Sequence, residues 1–271
     1  MPEYVDQLGR TVELKQVPIR IISLVPSQTE LLFELGLDEE VIGITKFCVH
    51  PEQWFNTKTR VGGTKQLHLE KIKELQPDLI IANKEENVQA QIEELAKEFP
   101  VWVSDVEDLD DALRMIVDVG EIVNRKDEAI GFSTSIAKGF ADLHSSLKKN
   151  FSTLYLIWKD PYMTIGGDTF INDILERSGF RNAFHDWARY PQIGIEQIEK
   201  IECELIFLSS EPFPFKQKHV DELQPLLPDT KICLVDGEMF SWYGSRLLKA
   251  PAYFKQLQNQ LLSLTHARGT E

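Results

Sequence analysis

The chain has 271 residues, of which 42% are hydrophobic and 27% are charged, a composition typical of one large or two ordinary globular domains. Its formal net charge of −14 argues against a nucleic-acid-binding protein, which must neutralise phosphates with clustered Lys and Arg side chains, and disfavours an anionic membrane surface. No run approaches the ~18 apolar residues that a membrane-spanning helix needs.

Short strands and helices alternate through the first half of the chain. Residues 3–17 predict a hairpin or arm that turns at Gly9, and residues 21–25 (IISLV) predict a buried strand. Ser27 and Glu30 have capping-box spacing, which predicts a helix that starts there and ends at Gly36. The elements predicted next are a strand at 41–45, a long irregular loop from Phe47 to Gly63, a helix-then-strand unit at 69–81, a helix at 87–98, a strand at 101–103 and a helix at 108–123.

Residues 126–149 (KDEAIGFSTSIAKGFADLHSSLKK) carry apolar side chains every three or four positions, the one-sided stripe of an amphipathic helix. No proline lies between Pro100 and Pro161, so nothing obliges this helix to kink. At about 1.5 Å per residue it would be roughly 35 Å long. We predict one long helix that joins the two halves of the chain.

The alternation of strands and helices restarts after this helix. The elements predicted there are a strand at 154–158, a turn-rich loop at 159–167, a helix capped by Asp168 or Thr169, a helix at 195–202, a strand at 205–208, a loop at 209–215, a helix at 217–226, a strand at 232–235 and a last helix from Leu247 to Leu264. Such alternation favours mainly parallel sheets with helices on their faces.

The two halves also resemble each other locally. LEKIKELQPDLII at 69–81 matches IEQIEKIECELIF at 195–207, and Glu70 and Glu196 stand at the same place in the two segments. We therefore predict an α/β fold of two Rossmann-like lobes joined by a single long backbone helix. The predicted boundaries are an N-terminal lobe at 1–122, the linking helix at 123–149 and a C-terminal lobe at 150–271.

The motifs of common catalytic and metal sites are missing from the sequence. It contains neither a phosphate-binding G-x-x-x-x-G-K-[ST] or G-x-G-x-x-G motif nor a G-x-S-x-G nucleophile elbow, and no Ser–His–Asp set can be argued from spacing. Three cysteines, Cys48, Cys203 and Cys233, lack C-x-x-C spacing, which disfavours a disulfide framework or a zinc site. We predict that the protein is not an enzyme and has no intrinsic cofactor.

Two glycine pairs and two loop histidines leave alternatives open. Gly62-Gly63 and Gly166-Gly167 stand near predicted helix starts, where backbone N–H groups can bind an anion, although turn glycines are the commoner explanation. None of the six histidines shows metal-ligand spacing; His50 and His185 lie in predicted loops, where polar residues more often carry function.

Aromatic residues are concentrated in loops that follow predicted strands or precede helices. In open α/β sheets the ligand crevice lies outside the carboxyl ends of the strands. We therefore expect rings from both halves to line a cleft for a large, flat, partly apolar ligand. The rings that indicate this cleft are Phe47, Trp54, Trp158, Tyr162, Tyr190, Phe213, Phe215, Phe240, Trp242 and Tyr243.

Three segments together resemble a known family. These are IISLVPSQTE at 21–30, VGGTK at 61–65 with the following LEKI and QPDLII, and YPQIGIEQI at 190–198. Over roughly residues 19–264 the chain resembles the ABC-importer substrate-binding proteins with a helical backbone, which handle cobalamin, haem and ferric siderophores. It looks most similar to the cobalamin-binding members.

This resemblance implies a function and a set of binding residues. It implies capture of a corrinoid in the interlobe cleft and delivery to an ABC permease, which would dock on Glu70 and Glu196. Each of these glutamates lies in the first turn of a predicted helix, where the helix dipole favours a carboxylate and exposure lets it reach an arginine. The expected ligand-binding residues are Ser27, Phe47, His50, Trp54, Trp158, Tyr162, Tyr190, Phe213, Phe215, Trp242, Tyr243 and Arg246.

Departures from the cobalamin binders keep other ligands open. His50 stands where the resemblance implies an aromatic residue, and Thr64 where it implies a tryptophan. Haem, a ferric siderophore or a cobinamide-like relative therefore remain alternatives, with His50 as an axial ligand to the metal of the bound chelate. Alternatives of other classes are a cytosolic α/β enzyme or chelatase, and a cytoplasmic ligand sensor without a permease.

The sequence does not decide the cellular compartment of the protein. The N-terminus, MPEYVDQLGR, has neither the basic nor the apolar region of a signal peptide. The resemblance implies a periplasmic or extracytoplasmic protein, and the missing signal peptide keeps the cytoplasm as an alternative.

Overall fold

The computed structural model describes residues 3–268 and divides into two compact units. Among the described residues, unit 1 comprises 3–106, 110–135 and 242–246, and unit 2 comprises 107–109, 136–241 and 247–268. Each unit contains a parallel sheet with helices, so the predicted α/β fold class is confirmed.

Unit 1 is built around a five-stranded sheet in which all strands are parallel, in the order β5-β4-β3-β8-β9. The strands of unit 1 are β1 Glu3–Val5, β2 Thr11–Glu13, β3 Ile21–Ser23, β4 Val41–Ile44, β5 Thr59–Arg60, β6 Gly62–Gly63, β7 Gln66–Leu67, β8 Leu79–Asn83 and β9 Val101–Ser104. Two antiparallel hairpins, β1-β2 and β6-β7, accompany the sheet.

The helices of unit 1 are α1 Pro26–Glu34, α2 Glu52–Thr57, α3 Leu69–Glu74, α4 Gln89–Ala96 and α5 Leu109–Ile122, whose first residue groups with unit 2. Short apolar runs such as Ile21-Ile22 and Leu79-Ile80-Ile81 form central strands because both of their faces are covered, and all five side chains are fully buried. Ile72 on α3 is also fully buried and packs in the same core.

The long helix α6, Lys126–Ser146, begins in unit 1 and ends in unit 2. It runs unbroken, and its apolar stripe is real: Ala129, Ile136, Phe140 and Leu143 are buried. The helix ends three residues earlier than the predicted Lys149.

Unit 2 is built around a four-stranded parallel sheet in the order β12-β10-β14-β15. Its strands are β10 Phe151–Leu156, β11 Tyr162–Met163, β12 Phe180–Asn182, β13 Gln192–Ile193, β14 Leu205–Ser209 and β15 Lys231–Val235, with β11 and β13 forming a separate antiparallel pair. Its remaining helices are α7 Phe170–Arg177, α8 Ile195–Lys200, α9 Gln217–Leu223, α10 Glu238–Ser241 and α11 Ala250–Arg268.

Three local predictions are corrected by the structure. The segment from Phe47 to Gly63 is not a loop throughout, because it contains α2, β5 and β6. Strand β10 begins at Phe151, three residues before its predicted start, and ends at Leu156. Helix α1 has no capping box: Val25 is its N-cap and makes no side-chain cap. Thr169, in contrast, caps α7 as predicted, since its hydroxyl accepts the Asn172 N–H.

Candidate ligand-binding site

The loop after β4 presents two of the predicted binding residues at the carboxyl edge of the unit 1 sheet. The Phe47 side chain is 51% exposed and His50 is half-buried. Between them, the Cys48 thiol is fully buried: it accepts a 3.1 Å hydrogen bond from the Thr29 hydroxyl and lies 3.2 Å from Thr45 Oγ1. The buried Cys48 side chain thus fixes this loop to the core of unit 1.

The absence of a side chain at Gly63 leaves room for the Phe47 ring. A Cβ on Gly63 would lie 3.0 Å from Phe47 Cε2, so a larger residue would displace the ring. Gly62 has a φ of +108°, and a Cβ there would lie within 2.4 Å of the Gln66 carbonyl oxygen. These contacts explain the glycine pair as a tight hairpin turn against the Phe47 ring rather than as an anion cradle.

His50 is the accessible end of a row of contacts within unit 1. Its ring meets the Trp242 ring edge-on, with centroids 5.5 Å apart and an interplanar angle of 68°. The Arg246 guanidinium lies over the Trp242 ring at 4.7 Å and makes a buried ion pair with Glu30. Sequence reasoning placed Arg246 in the binding site and missed Glu30, which it treated only as a capping residue.

Trp54 does not face solvent. Its side chain is fully buried in unit 1, Nε1 donates a 2.8 Å hydrogen bond to Asp38 Oδ1, and the Phe33 ring packs edge-on at 5.3 Å. The Lys58 ammonium and the Trp54 N–H together hold the pKa of the Asp38 carboxyl below its ordinary value. Trp54 is therefore a core residue of unit 1, because helix α2 turns it inward from a segment that was predicted to be an irregular loop.

Polar residues lie at the end of β8 and in the loop after it, at the same sheet edge. Asn87 Nδ2 donates a 3.1 Å hydrogen bond to the Thr64 carbonyl, and Asn83 Nδ2 donates to Ser104 Oγ at 3.0 Å. Burial raises the pKa of the half-buried Glu86 carboxyl, against the opposing effect of Lys65. These residues carried no motif, so sequence reasoning did not single them out.

In unit 2, Trp158 follows the carboxyl end of β10 and is 39% exposed. Its ring packs against Phe213, with centroids 5.7 Å apart. Tyr162 and Phe213 are half-buried, and desolvation raises the pKa of the Tyr162 hydroxyl. Phe215, by contrast, is buried in the core of unit 2 beside His219, at a centroid distance of 5.4 Å.

The loop after β12 carries an aromatic residue that sequence reasoning missed. Trp187 is 50% exposed, and the Phe184 ring contacts it edge-on at 5.5 Å. Gly166 and Gly167 fasten this loop, because their N–H groups donate to the Arg189 and Trp187 carbonyls at 2.7 and 2.9 Å. The signal was a tryptophan within a polar segment, HDWARYP at 185–191.

Gly166 and Gly167 are therefore not an anion site. Their N–H groups are occupied, and an added Cβ would lie within 2.3 Å of the Trp187 oxygen or 2.1 Å of the His185 oxygen. Tyr190, which was predicted to bind ligand, is half-buried in the same loop, and the Arg189 guanidinium lies 5.6 Å from its ring centroid.

The predicted site residues differ in what they can offer to a ligand. Six of them are accessible or half-buried: Phe47, His50, Trp158, Tyr162, Tyr190 and Phe213. The other six are buried: Ser27, Trp54, Phe215, Trp242, Tyr243 and Arg246.

Comparison with known proteins decides the family. The family model described as "Periplasmic binding protein" matches residues 21–225, which is more than half of the chain. The chain belongs to the periplasmic binding protein family.

Relatives of this periplasmic binding protein span most of its length. The chain is 27% identical over 255 residues to the vitamin B12-binding protein of Pectobacterium carotovorum, covering 92% of this chain and 90% of the relative. It is 27% identical over 212 residues to an uncharacterized ABC transporter substrate-binding lipoprotein of Bacillus subtilis, covering 74% of this chain and 67% of the relative.

A solved structure supports the fold of this family. The periplasmic haem-binding protein of Vibrio cholerae superposes with a TM-score of 0.76, covering 90% of this chain and 98% of that structure. The two sequences are 19% identical, so this likeness shows the fold alone.

Glu70 and Glu196 are both exposed, each in the first turn of a short helix. Behind them, Ile72 and Ile198 are fully buried and fix α3 and α8 to their own units. In α8, the Gln197 side chain accepts the Gly194 N–H at 2.9 Å, which secures the helix start next to Glu196.

Among residues 3–263, no group of three or more His, Cys, Asp or Glu side chains is arranged to hold a metal ion. Among the helices that the structure describes, none combines the length and apolar character needed to cross a bilayer.

Proposed function

We propose that this periplasmic binding protein is the substrate-binding component of an ABC importer and that its cargo is a corrinoid, cobalamin or a close relative. One observation carries the proposal: the match to a vitamin B12-binding protein extends over 92% of this chain and 90% of that relative. A match of this extent includes residues of both units.

The accessible rings supply the chemistry for such a cargo. In unit 1, the Phe47 side chain is 51% exposed. In unit 2, Trp158 is 39% exposed, and Tyr190 is half-buried in the loop after β12. Aromatic faces bind a flat, partly apolar macrocycle by dispersion and stacking without forming a covalent bond. The protein would thus capture its ligand without transforming it, which matches a binding role and not an enzymatic one.

Haem or another ferric chelate is the second candidate cargo. It is favoured by His50, a half-buried imidazole in a loop where the sequence resemblance implies an aromatic residue. An imidazole nitrogen is a common axial ligand of haem iron and also binds cobalt. The metal that His50 would contact belongs to the cargo and is not a resident metal of the protein.

Glu70 and Glu196 are the proposed docking residues for the permease. Exposed carboxylates at helix starts are favoured by the helix dipole and can accept both N–H groups of an arginine fork. The proposed location is periplasmic or otherwise extracytoplasmic, where importers of this kind collect their cargo.

Calorimetric titration with cobalamin, cobinamide, haem and a ferric hydroxamate tests the proposal. We expect the tightest binding with one of the two corrinoids, together with a change in its visible absorbance spectrum. Tightest binding to haem would establish the second candidate. Failure of all four ligands to bind would refute the proposed cargo class and favour the enzyme or sensor alternatives.

A further inference from the structure

Residues Trp242–Arg246, which we call the strap, group with unit 1, whereas the residues directly before and after them group with unit 2. The strap touches helix α1 at two points. Gly244 lies against Ser27, where an added Cβ would approach the carbonyl oxygen within 2.8 Å, and Arg246 binds Glu30. A segment 216 residues further along the chain is thus fastened to the first helix of unit 1.

The Glu30–Arg246 ion pair is bidentate and buried. Arg246 Nε donates to Glu30 Oε2 at 2.9 Å, and a terminal guanidinium nitrogen donates to Oε1 at 2.7 Å. The two side chains are 7% and 10% exposed. Two parallel charge-assisted hydrogen bonds fix the plane of the guanidinium as well as its position.

The fixed guanidinium in turn supports the Trp242 ring. Its central carbon lies 4.7 Å from the ring centroid, and Trp242 is only 6% exposed. Trp242 meets the His50 ring edge-on at 5.5 Å. In this series of contacts, the Glu30, Arg246 and Trp242 side chains are buried and the His50 side chain is accessible.

We propose that Glu30 and Arg246 are positioning residues which hold, through the Trp242 ring, the His50 imidazole in the orientation that reaches the metal of a bound chelate. This inference rests on the proposed function. An imidazole on a loop gains affinity for a metal when neighbouring groups fix its ring, because less rotamer entropy is lost on binding. Groups behind a metal ligand typically change affinity tenfold to a hundredfold when they are removed.

The geometry favours this positioning role of Arg246 over a direct contact between Arg246 and the ligand. The Arg246 side chain is 10% exposed, its hydrogen-bonding edge faces Glu30, and its flat face lies over Trp242. Binding a ligand directly would require the guanidinium to leave a buried carboxylate, which is strongly unfavourable. Arg246 therefore contributes to binding through the residues it holds.

Cobinamide is the probe for the test, because without its nucleotide base it leaves an axial position open for a protein imidazole. Wild-type protein should bind it with the visible absorbance shift of imidazole coordination, and His50→Ala should bind without that shift. We expect Glu30→Gln to weaken binding by about tenfold and to reduce the imidazole shift at saturation.

Two further variants separate positioning from stability. Glu30→Leu combined with Arg246→Met removes both charges, so no unpaired buried charge remains and the protein should fold, yet the imidazole shift should still be reduced. Asp6→Asn breaks a comparable pair in the β1-β2 hairpin, where Arg10 Nε donates to Asp6 Oδ2 at 2.8 Å. This control should lower stability and leave both the affinity and the imidazole shift unchanged.

The outcomes distinguish this inference from the proposed function. If wild-type protein binds cobinamide with an imidazole shift that neither Glu30→Gln nor the double variant alters, the positioning role is wrong. If it binds cobinamide without any imidazole shift, the positioning role is wrong and the proposed cargo stands. If it binds none of the four candidate ligands, the proposed function itself fails.

Discussion

Glu70 and Glu196 occupy the same position in the two units, each in the first turn of a short helix that leads into a buried parallel strand. Both carboxylates are exposed, and the isoleucines two residues later, Ile72 and Ile198, are fully buried. The helix dipole favours a carboxylate at each position, and exposure leaves both carboxylates available to a partner. The proposed docking of both glutamates on the permease would account for the repetition.

Replacing both glutamates, Glu70→Ala with Glu196→Ala, should abolish uptake of the cargo and leave its affinity unchanged. The substitutions remove two exposed charges and leave every ring of the candidate site in place. Uptake of labelled ligand by cells that depend on this protein, with a calorimetric titration alongside, measures the two effects. Glu74→Ala with Glu199→Ala is the matched control, since it removes the same charge from the same two helices. Normal uptake by the Glu70/Glu196 variant would refute the docking role.

The exposed rings should contribute to ligand affinity and little to stability. Phe47→Ala and Trp158→Ala each remove a side chain that is 51% or 39% exposed. We expect each to raise the Kd by roughly fivefold, which corresponds to about 1 kcal/mol of stacking energy. Fluorescence titration of each variant measures this change. Ile19→Ala, which truncates a 56% exposed residue outside the candidate site, should leave Kd unchanged. If Phe47→Ala and Trp158→Ala bind with the same Kd as Ile19→Ala, these two rings do not contact the ligand.

Trp54 should behave as a core residue and not as a ligand contact. Trp54→Ala removes a fully buried side chain and its hydrogen bond to Asp38, so we expect a loss of about 3–5 kcal/mol in the free energy of unfolding. Trp54→Phe should lose less and keep the wild-type ligand affinity. Urea denaturation and ligand titration together check both statements, with the 50% exposed Trp187 as control: Trp187→Ala should change stability by less than about 1 kcal/mol. A large drop in affinity for a well-folded Trp54→Phe would contradict the assignment.

The thiol of Cys203 should resist alkylation in the folded protein. Burial raises its pKa to about 11, so at pH 8 the reactive thiolate is depleted on the order of a hundredfold relative to an ordinary cysteine. The alkylation rate of Cys203, followed by peptide mass spectrometry, should therefore rise with pH well beyond pH 9. Protein unfolded in urea is the reference, and it should react at the ordinary rate. Equal rates for folded and unfolded protein at pH 8 would show that the thiol is accessible.

Much of the fold could be predicted because its signals are local. The buried runs at Ile21 and Leu79, the helix stop at Gly36 and the stripe of helix α6 each depend on a few neighbouring residues. Gly36 adopts a φ of +83°, as the end of the helix requires. The repeated segment around Glu70 and Glu196 also indicated two similar units, since each copy folds into the same helix and strand.

The candidate site was less predictable, because exposure depends on residues distant in sequence. Phe47 and Trp54 looked equivalent in one aromatic segment, yet Phe47 is half-exposed and Trp54 is fully buried. Helix α2 and the contact with Phe33 decide this difference. Trp187 was overlooked because no local pattern shows that Gly166 and Gly167 would fasten its loop.

The sequence by itself determined the class of fold, the unbroken long helix and the two equivalent glutamates, because spacing of apolar and acidic residues along a few turns or strands is sufficient for each. The tertiary structure alone decided that Arg246 binds Glu30 and that Trp242 lies beside His50. These contacts join residues about two hundred positions apart, and their energies come from burial and geometry that arise only when the strap lies against helix α1. The same dependence makes His50 accessible while its supporting residues are buried.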